Sequence, residues 1–140
     1  MSERFTIATE PHDPAVQQAL VDALVAFSRA KVGRPEPIRF QVVARNGDGT
    51  LLGGASAKFH FDVLFLDDLW VADSLRGAGL GTALMRAFET RGRELGARLA
   101  WLDTMSWQAR PFYEKLGYTV FGELPYSGGA HTQFFLRKFL

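Results

Sequence analysis

Three closely spaced glycines stand between a predicted strand and a predicted helix, within residues 69–82. Gly77, Gly79 and Gly81 permit positive φ angles and a close approach of the backbone to a ligand, so several N–H groups can point at one anion. The N-terminus of the following helix adds a partial positive charge at the same place. The segment therefore predicts a site for a phosphate or a pyrophosphate.

The spacing of these glycines excludes two common phosphate-binding loops. A dinucleotide-binding loop needs a glycine where Thr82 stands, and a Walker loop needs a lysine, which this segment lacks. The motif that stands here is Arg76-x-x-Gly79-x-Gly81. The loop alone leaves a second interpretation open, in which the glycines only allow a tight turn from strand to helix.

A second motif follows further along the chain. Ala109, Tyr113, Gly117 and Tyr118 lie on and just after a short predicted helix. Gly117 is typical of the left-handed residue that ends a helix. This motif therefore places a tyrosine on a helix that follows a short apolar strand.

Together the two motifs resemble the GNAT superfamily of acetyl-CoA-dependent N-acetyltransferases. That family has a strand ending in Leu-x-Val, then (Gln/Arg)-x-x-Gly-x-(Gly/Ala), and later Ala-x-x-x-Tyr-x-x-x-Gly-aromatic. All three patterns stand here in this order, between Leu69 and Tyr118, and the resemblance is close over residues 64–122. It implies acetyl-CoA as the co-substrate and direct transfer of the acetyl group to an amine in a ternary complex.

The resemblance also implies how the coenzyme binds. Backbone amides of residues 76–82 would hold the pyrophosphate. Backbone groups of Leu69 and Val71 would bind the pantetheine arm and the acetyl carbonyl, which an N–H near Val71 would polarise. Many family members have an asparagine that contacts the pantetheine arm, and at that position this chain has Ser106. The implied coenzyme-binding residues are Leu69, Trp70, Val71, Arg76, Gly77, Ala78, Gly79, Leu80, Gly81, Thr82 and Ser106.

A tyrosine and a carboxylate are the catalytic groups that the resemblance implies. Tyr113 would protonate the departing thiolate, since a phenol with a pKa of about 10 can donate at neutral pH. Asp67, with Asp68 as the alternative, would be a general base acting through water or an anchor for the substrate ammonium group. Strand alternation predicts that the two carboxylates point to opposite faces, with Asp67 on the side of Leu69 and Val71, so they would not share a proton.

The hydrophobic pattern predicts an α+β domain over residues 1–140, with the order β-α-β-β-β-α-β-α-β-β. Its central sheet is mixed but mostly antiparallel and is flanked by helices, as in GNAT enzymes. A helix should begin at Asp13-Pro14 and end near Gly33, and Asn46-Gly47-Asp48-Gly49 should form a hairpin turn. Strands are predicted at residues 4–8, 38–44, 51–59, 63–71, 99–103, 118–124 and 132–140, and further helices at 79–95 and 109–116.

Composition excludes several other classes of function. The chain has 140 residues, is 47% hydrophobic, and carries a net charge of +1, which argues against nucleic acid as a partner. It has no cysteine, and its three histidines lack the spacing of metal ligands, so no metal is expected. No apolar run is long enough for a membrane span and no signal peptide is visible, which predicts a cytoplasmic protein.

Three hypotheses about what the protein acts on remain open. A small-molecule primary amine is favoured because 140 residues leave no room for an appended recognition domain. A protein lysine or an N-terminal amine is the first alternative, and a non-catalytic acyl-CoA-binding regulatory module is the second. An intact Tyr113 and Asp67 favour an enzyme over a module that only binds. The resemblance also allows a homodimer, paired through the terminal strands.

Overall fold

The structure, a computed structural model, describes residues 4–140. The chain divides into two compact units, Met1–Pro35 and Glu36–Leu140. In the first unit, α1 (Pro14–Val32) begins as predicted, because the Asp13 carboxylate accepts the Ala15 N–H at 2.9 Å. The helix ends at Gly33, whose left-handed φ of 61° lets its N–H donate to the Arg29 carbonyl.

The strand predicted at residues 4–8 is wrong, since this segment has no regular secondary structure. Phe5 and Ile7 give the alternation of a strand, but both side chains are exposed. A strand is stable only when its backbone groups pair with a neighbour, and no strand among residues 4–140 pairs with this segment. Alternation over so few residues therefore did not predict a strand correctly.

The second unit is built on one six-stranded sheet with the strand order β1-β2-β3-β4-β6-β5. The neighbours β3 and β4 are parallel and all other neighbours are antiparallel, which confirms the predicted mixed, mostly antiparallel sheet. The elements are β1 (Ile38–Arg45), β2 (Leu51–His60), β3 (Val63–Val71), α2 (Leu80–Leu95), β4 (Leu99–Met105), α3 (Arg110–Lys115), β5 (Thr119–Tyr126) and β6 (His131–Phe139).

The core lies where α2 packs against β1, β2 and β3. Met85 and Phe88 of α2 are fully buried. The buried residues on the facing side of β2 are small, among them Ala55 and Ala57. At Gly92 of α2 the approach is so close that an added Cβ atom would collide with Leu64 of β3. Small residues therefore set the distance between the helix and the sheet.

A buried carboxylate on α2 ties this helix to the two C-terminal strands. Glu89 Oε2 accepts the hydroxyl of Tyr118 at 2.8 Å, and Glu89 Oε1 accepts the ammonium of Lys138 at 2.8 Å. The guanidinium of Arg93 lies 3.6 Å from Oε1. Burial, together with the charge of Glu89, raises the pKa of Tyr118 well above its ordinary value. Tyr118 is therefore neutral and donates its hydroxyl hydrogen to Glu89 in this network.

Replacing Glu89 by alanine is expected to lower the free energy of unfolding by about 3 kcal/mol, because it leaves a mostly buried ammonium and a buried hydroxyl without an acceptor. Urea denaturation measures the change. The matched control is Glu94→Ala on the same helix, where an exposed carboxylate pairs with exposed Arg91 and the expected loss is below about 0.5 kcal/mol. Equal losses in the two variants would show that the network contributes nothing specific.

Candidate active site

The two parallel strands at the centre of the sheet diverge shortly after they begin. Within the described part of the chain, Val63–Phe65 of β3 pairs with Leu99–Trp101 of β4, and the rest of β3 has no partner on that side. The gap between the strands opens into a cavity of about 1000 Å³, the main cleft. It is lined by residues 66–71, 75–77, 79–82, 103, 104, 107–109, 112 and 113.

The free edge of β3 presents backbone groups to this cleft. On the other edge, the Ala72 N–H donates to the Leu52 carbonyl of β2. Since alternate residues of an antiparallel ladder bond to the same neighbour, the backbone groups of Leu69 and Val71 turn away from β2 and toward the main cleft. A ligand in the cleft can therefore add hydrogen bonds to the sheet as a further strand would.

The N-terminus of α2 lies at one end of the main cleft. Gly77 and Gly79 have φ angles of 79° and 86°, which only glycine adopts without strain. No side chain of residues 4–140 caps the helix at Gly79, so the N–H groups of Leu80 and its successors remain available to a ligand. An anion here would meet these donors and the positive end of a 16-residue helix.

Arg76 lines the same end of the main cleft and forms an exposed ion pair with Asp73 at 2.9 Å. Gly81 lets the helix lie against α3, because a Cβ atom there would stand 3.3 Å from the ring of Phe112. All the predicted coenzyme-binding residues line the main cleft except Ala78 and Ser106.

Ser106 instead stabilises the junction between β4 and β6. Its hydroxyl accepts the Thr132 N–H at 3.1 Å, and its own N–H donates to the Thr132 carbonyl. The amide side chain in this part of the cleft belongs to Gln108, whose Oε1 accepts the Met105 N–H at 2.7 Å. The family pattern gave no sign of Gln108, because it places the amide at the position of Ser106.

Tyr113 of α3 is buried at the wall of the main cleft, with its side chain against Phe112 and Tyr118. Among residues 4–140 no group hydrogen-bonds to its hydroxyl, which leaves that hydroxyl available to a ligand. Burial, and to a smaller extent the negative charge of Asp103, raises the pKa of Tyr113 to about 12. Tyr113 is therefore a protonated donor at neutral pH.

The prediction that Asp67 and Asp68 point to opposite faces is wrong, because β3 has a β-bulge at this point. Ser56 of β2 lies opposite Asp68 and Ala57 lies opposite Leu66, so Asp67 is an extra residue. The bulge breaks the alternation and returns Leu69 to the face covered by α2. Neither carboxylate therefore shares a face with Leu69.

The carboxylates of Asp67 and Asp68 both lie on the face of the sheet that α2 does not cover. Asp68 Oδ2 accepts the hydroxyl of Ser56 at 3.1 Å, and Asp67 lies 3.6 Å from the guanidinium of Arg39. These groups border a second cavity of about 350 Å³, the side cavity, which Gln41 also lines. Asp67 and Asp68 line both the side cavity and the main cleft.

A third carboxylate in the main cleft was not found from the sequence. Asp103 lies on β4, across the gap from Asp67, and its Oδ1 accepts the amide of Gln133 at 3.1 Å. The position of Asp103 near the end of a strand could have pointed to it. That position is informative only once β4 is known to lie beside β3 and parallel to it. Among residues 4–140 no group of three or more histidines and acidic residues could hold a metal ion.

The parted strands and the helix N-terminus together leave room for an extended, anionic ligand. The model of the Acetyltransferase (GNAT) family matches residues 3–118, and the chain belongs to that family. It is an acetyl-CoA-dependent acetyltransferase. No helix within residues 4–140 combines the length and the apolar character that crossing a membrane requires.

Two curated relatives and one solved structure show how far the similarity extends. An acetyltransferase of Agrobacterium fabrum is 28% identical over 95% of this chain and 98% of its own length. The blasticidin-S acetyltransferase of Streptomyces morookaense is 34% identical over 74% of this chain and 77% of its own length. The crystal structure of an acetyltransferase from Bacillus cereus superposes with a TM-score of 0.86 at 28% identity, over 96% of this chain and 98% of that chain.

Proposed function

We propose that this enzyme transfers the acetyl group of acetyl-CoA to a primary amine of a small molecule, by direct attack in a ternary complex. The observation that carries the proposal is that Asp67 and Asp68 line both cavities. The main cleft offers a place for the coenzyme, and the side cavity of about 350 Å³ shares these two residues with it. A thioester in the cleft and an amine in the side cavity would meet at these carboxylates.

In this proposal the coenzyme lies along the main cleft with its pyrophosphate at the N-terminus of α2. The N–H groups from Gly77 to Thr82 that face the cleft bind the phosphate oxygens, and the helix dipole adds to their effect. The free backbone groups of Leu69 and Val71 bind the pantetheine arm and polarise the acetyl carbonyl. Trp70 and Gln108 complete the wall around the arm.

Tyr113 acts as the general acid in this scheme. When the C–S bond breaks, the thiolate of coenzyme A needs a proton, and within residues 4–140 no acceptor competes for the proton of the Tyr113 hydroxyl. With a pKa of about 12, Tyr113 is protonated at every pH at which a transferase of this kind would be assayed. It is a weaker acid than an ordinary tyrosine, so its contribution depends on close contact with the sulfur.

Asp67 and Asp68 attract the acceptor in its ammonium form. An alkyl ammonium has a pKa of about 10.4, so only about one amine molecule in 2,500 is neutral at pH 7, a penalty of about 4.6 kcal/mol. The enzyme therefore has to bind the abundant cation first and remove its proton afterwards. Two carboxylates at the mouth of the side cavity suit the first task.

The size of the side cavity and one of the relatives both support a small-molecule acceptor. The cavity is bordered by polar side chains, among them Arg39 and Gln41, that could bind hydroxyl, amide or carboxylate groups of such a molecule. The relative from Streptomyces morookaense carries blasticidin S, a small molecule, in its name. Blasticidin S is therefore the first acceptor to test, without being assigned as the natural substrate.

Release of free thiol from acetyl-CoA tests the proposed function. Blasticidin S, spermidine, glucosamine and a lysine-containing peptide serve as acceptors, and the acetylated product is identified by mass spectrometry. The expected result is turnover with at least one of the three small amines and slower turnover with the peptide. Turnover of the peptide alone would favour a protein acceptor. Acetyl-CoA binding without any turnover would favour the regulatory module.

A further inference from the structure

Two carboxylates stand at the point where the central strands part. The ladder between β3 and β4 ends at the pair Phe65 and Trp101, whose rings contact each other on one face of the sheet, with centroids 4.3 Å apart and planes tilted by 39°. Two residues further along each strand, on the same face, come Asp67 and Asp103. One carboxylate therefore borders each side of the opening, and both line the main cleft.

The environments of these two carboxylates differ. Asp67 has a cation beside it, since the guanidinium of Arg39 lies 3.6 Å away. Asp103 has no ion-pair partner among residues 4–140, and within that range only its Oδ1 accepts a hydrogen bond, from Gln133. Within the described residues, therefore, no cation competes with a substrate ammonium group for the charge of Asp103.

A chain of side chains holds Asp103 in position. The amide of Gln133 donates to Asp103 Oδ1, and the carbonyl oxygen of the same amide accepts the hydroxyl of Tyr126. Gln133 lies on β6, the neighbour of β4, and Tyr126 lies on β5, on the far side of β6. The arrangement fixes one carboxylate oxygen and leaves Oδ2 for a ligand in the cleft.

Asp103 is also within electrostatic range of the proposed general acid. Burial is the larger cause of the raised pKa of Tyr113, and the negative charge of Asp103 adds to it. Asp103 and Tyr113 also line the same cleft. Under the proposed function the hydroxyl of Tyr113 lies near the sulfur of the thioester, so Asp103 borders the cleft that holds the reacting carbonyl.

From this geometry we propose that Asp103 is the general base, which takes the proton of the acceptor ammonium in the reaction proposed above. The ammonium gives one proton to Asp103 Oδ2, and the nitrogen lone pair then forms the C–N bond at the thioester carbonyl carbon. As the C–S bond breaks, Tyr113 protonates the thiolate. The second proton of the attacking nitrogen restores Tyr113, and Asp103 passes its proton to water. The products are the amide, coenzyme A and one released proton.

The two carboxylates have different roles, so replacing each of them is expected to change a different kinetic constant. Asp103 removes a proton in the chemical step, whereas Asp67 attracts the cation. Asp103→Asn is therefore expected to lower kcat by about 100-fold, the usual contribution of a general base, with the Kd for acetyl-CoA changed less than twofold. Asp67→Asn, the matched control on the facing strand, is expected to raise the KM for the amine and to change kcat less than fivefold.

Chemical rescue separates proton transfer from a structural role. Sodium formate is expected to raise the kcat of Asp103→Ala at least about tenfold, because the formate carboxylate can occupy the space left by the aspartate side chain. The assay uses the small amine that the wild-type enzyme acetylates fastest among blasticidin S, spermidine and glucosamine. Formate should have no effect on Asp67→Ala, in which no proton acceptor has been removed.

Two outcomes would overturn the role of Asp103 while leaving the proposed function intact: a kcat of Asp103→Asn within about threefold of wild type, or an impaired Asp103→Ala that formate does not rescue. In both, the wild-type enzyme still turns over the amine. Absence of turnover by the wild-type enzyme with every amine would instead overturn the proposed function itself, so the two failures are distinguishable.

Discussion

The variant Gly79→Asp is expected to bind acetyl-CoA about 100-fold more weakly than the wild-type protein, as measured by isothermal titration calorimetry. The added carboxylate would stand at the N-terminus of α2, where the pyrophosphate is proposed to bind. Two like charges about 4 Å apart repel each other by between about 1 and 4 kcal/mol, depending on how far solvent screens them. A loss of about 100-fold, or roughly 2.7 kcal/mol, lies within that range.

The strain that aspartate introduces at a positive φ angle has to be separated from its charge. Gly96 ends the same helix with a φ of 101°, has open space around it and lies outside the main cleft, so Gly96→Asp is the matched control. S-acetylpantetheine, which lacks the pyrophosphate, is the control ligand and should bind both variants as it binds wild type. Unchanged acetyl-CoA affinity in Gly79→Asp would contradict the assignment of the loop.

Removing the hydroxyl of Tyr113 is expected to slow catalysis without weakening coenzyme binding. In Tyr113→Phe the leaving thiolate loses its proton donor, which predicts a decrease of about 100-fold in kcat. The Kd for acetyl-CoA should change less than threefold, because the hydroxyl has no structural hydrogen bond among residues 4–140. Steady-state kinetics with a saturating amine, beside calorimetry with acetyl-CoA, measure the two quantities.

Tyr118→Phe is the matched control for this variant. Tyr118 has an equally buried ring and lies against Tyr113, but its hydroxyl donates to Glu89 and lies outside the main cleft. Its loss should lower stability and leave kcat within about threefold of wild type. If both variants lost kcat equally, the effect of Tyr113→Phe would be a matter of packing and not of proton donation.

The pH profile gives an independent check on Tyr113. Because its pKa is raised to about 12, the phenol stays protonated as the pH rises through the range in which an ordinary tyrosine would ionise. The kcat of the wild-type enzyme and the kcat of Tyr113→Phe are therefore expected to depend on pH in the same way between pH 8 and about pH 10.5. A descending limb near pH 10 present only in the wild type would mean that the pKa is not raised.

Features with a local physical cause were predicted well from the sequence. The Asp13-Pro14 start of α1 and the glycine loop before α2 depend on the backbone preferences of single residues, and both lie where expected. The strand β3 has the predicted bounds, Val63–Val71. Each of these signals lies within a few residues and needs no knowledge of the neighbouring strand.

Features that depend on a neighbouring strand could not be predicted in the same way. The bulge at Asp67 exists because β2 and β3 differ by one residue between their paired segments, and the sequence of β3 alone gives no sign of it. Asp103 enters the site only because β4 lies beside β3 and parts from it after Trp101. Ser106 was expected in the cleft, but its hydrogen bonds to Thr132 of β6 show how pairing with a distant strand decides where a side chain goes.

We propose that the main cleft binds the pantetheine arm and the pyrophosphate of acetyl-CoA together. Calorimetric titration of the wild-type protein with acetyl-CoA tests this binding, with NADH as the control because NADH carries a pyrophosphate and an adenosine but no pantetheine. Saturable binding of acetyl-CoA at one site per chain, with no heat from NADH, is the expected result. Absence of acetyl-CoA binding, or equal binding of NADH, would contradict the assignment of the cleft.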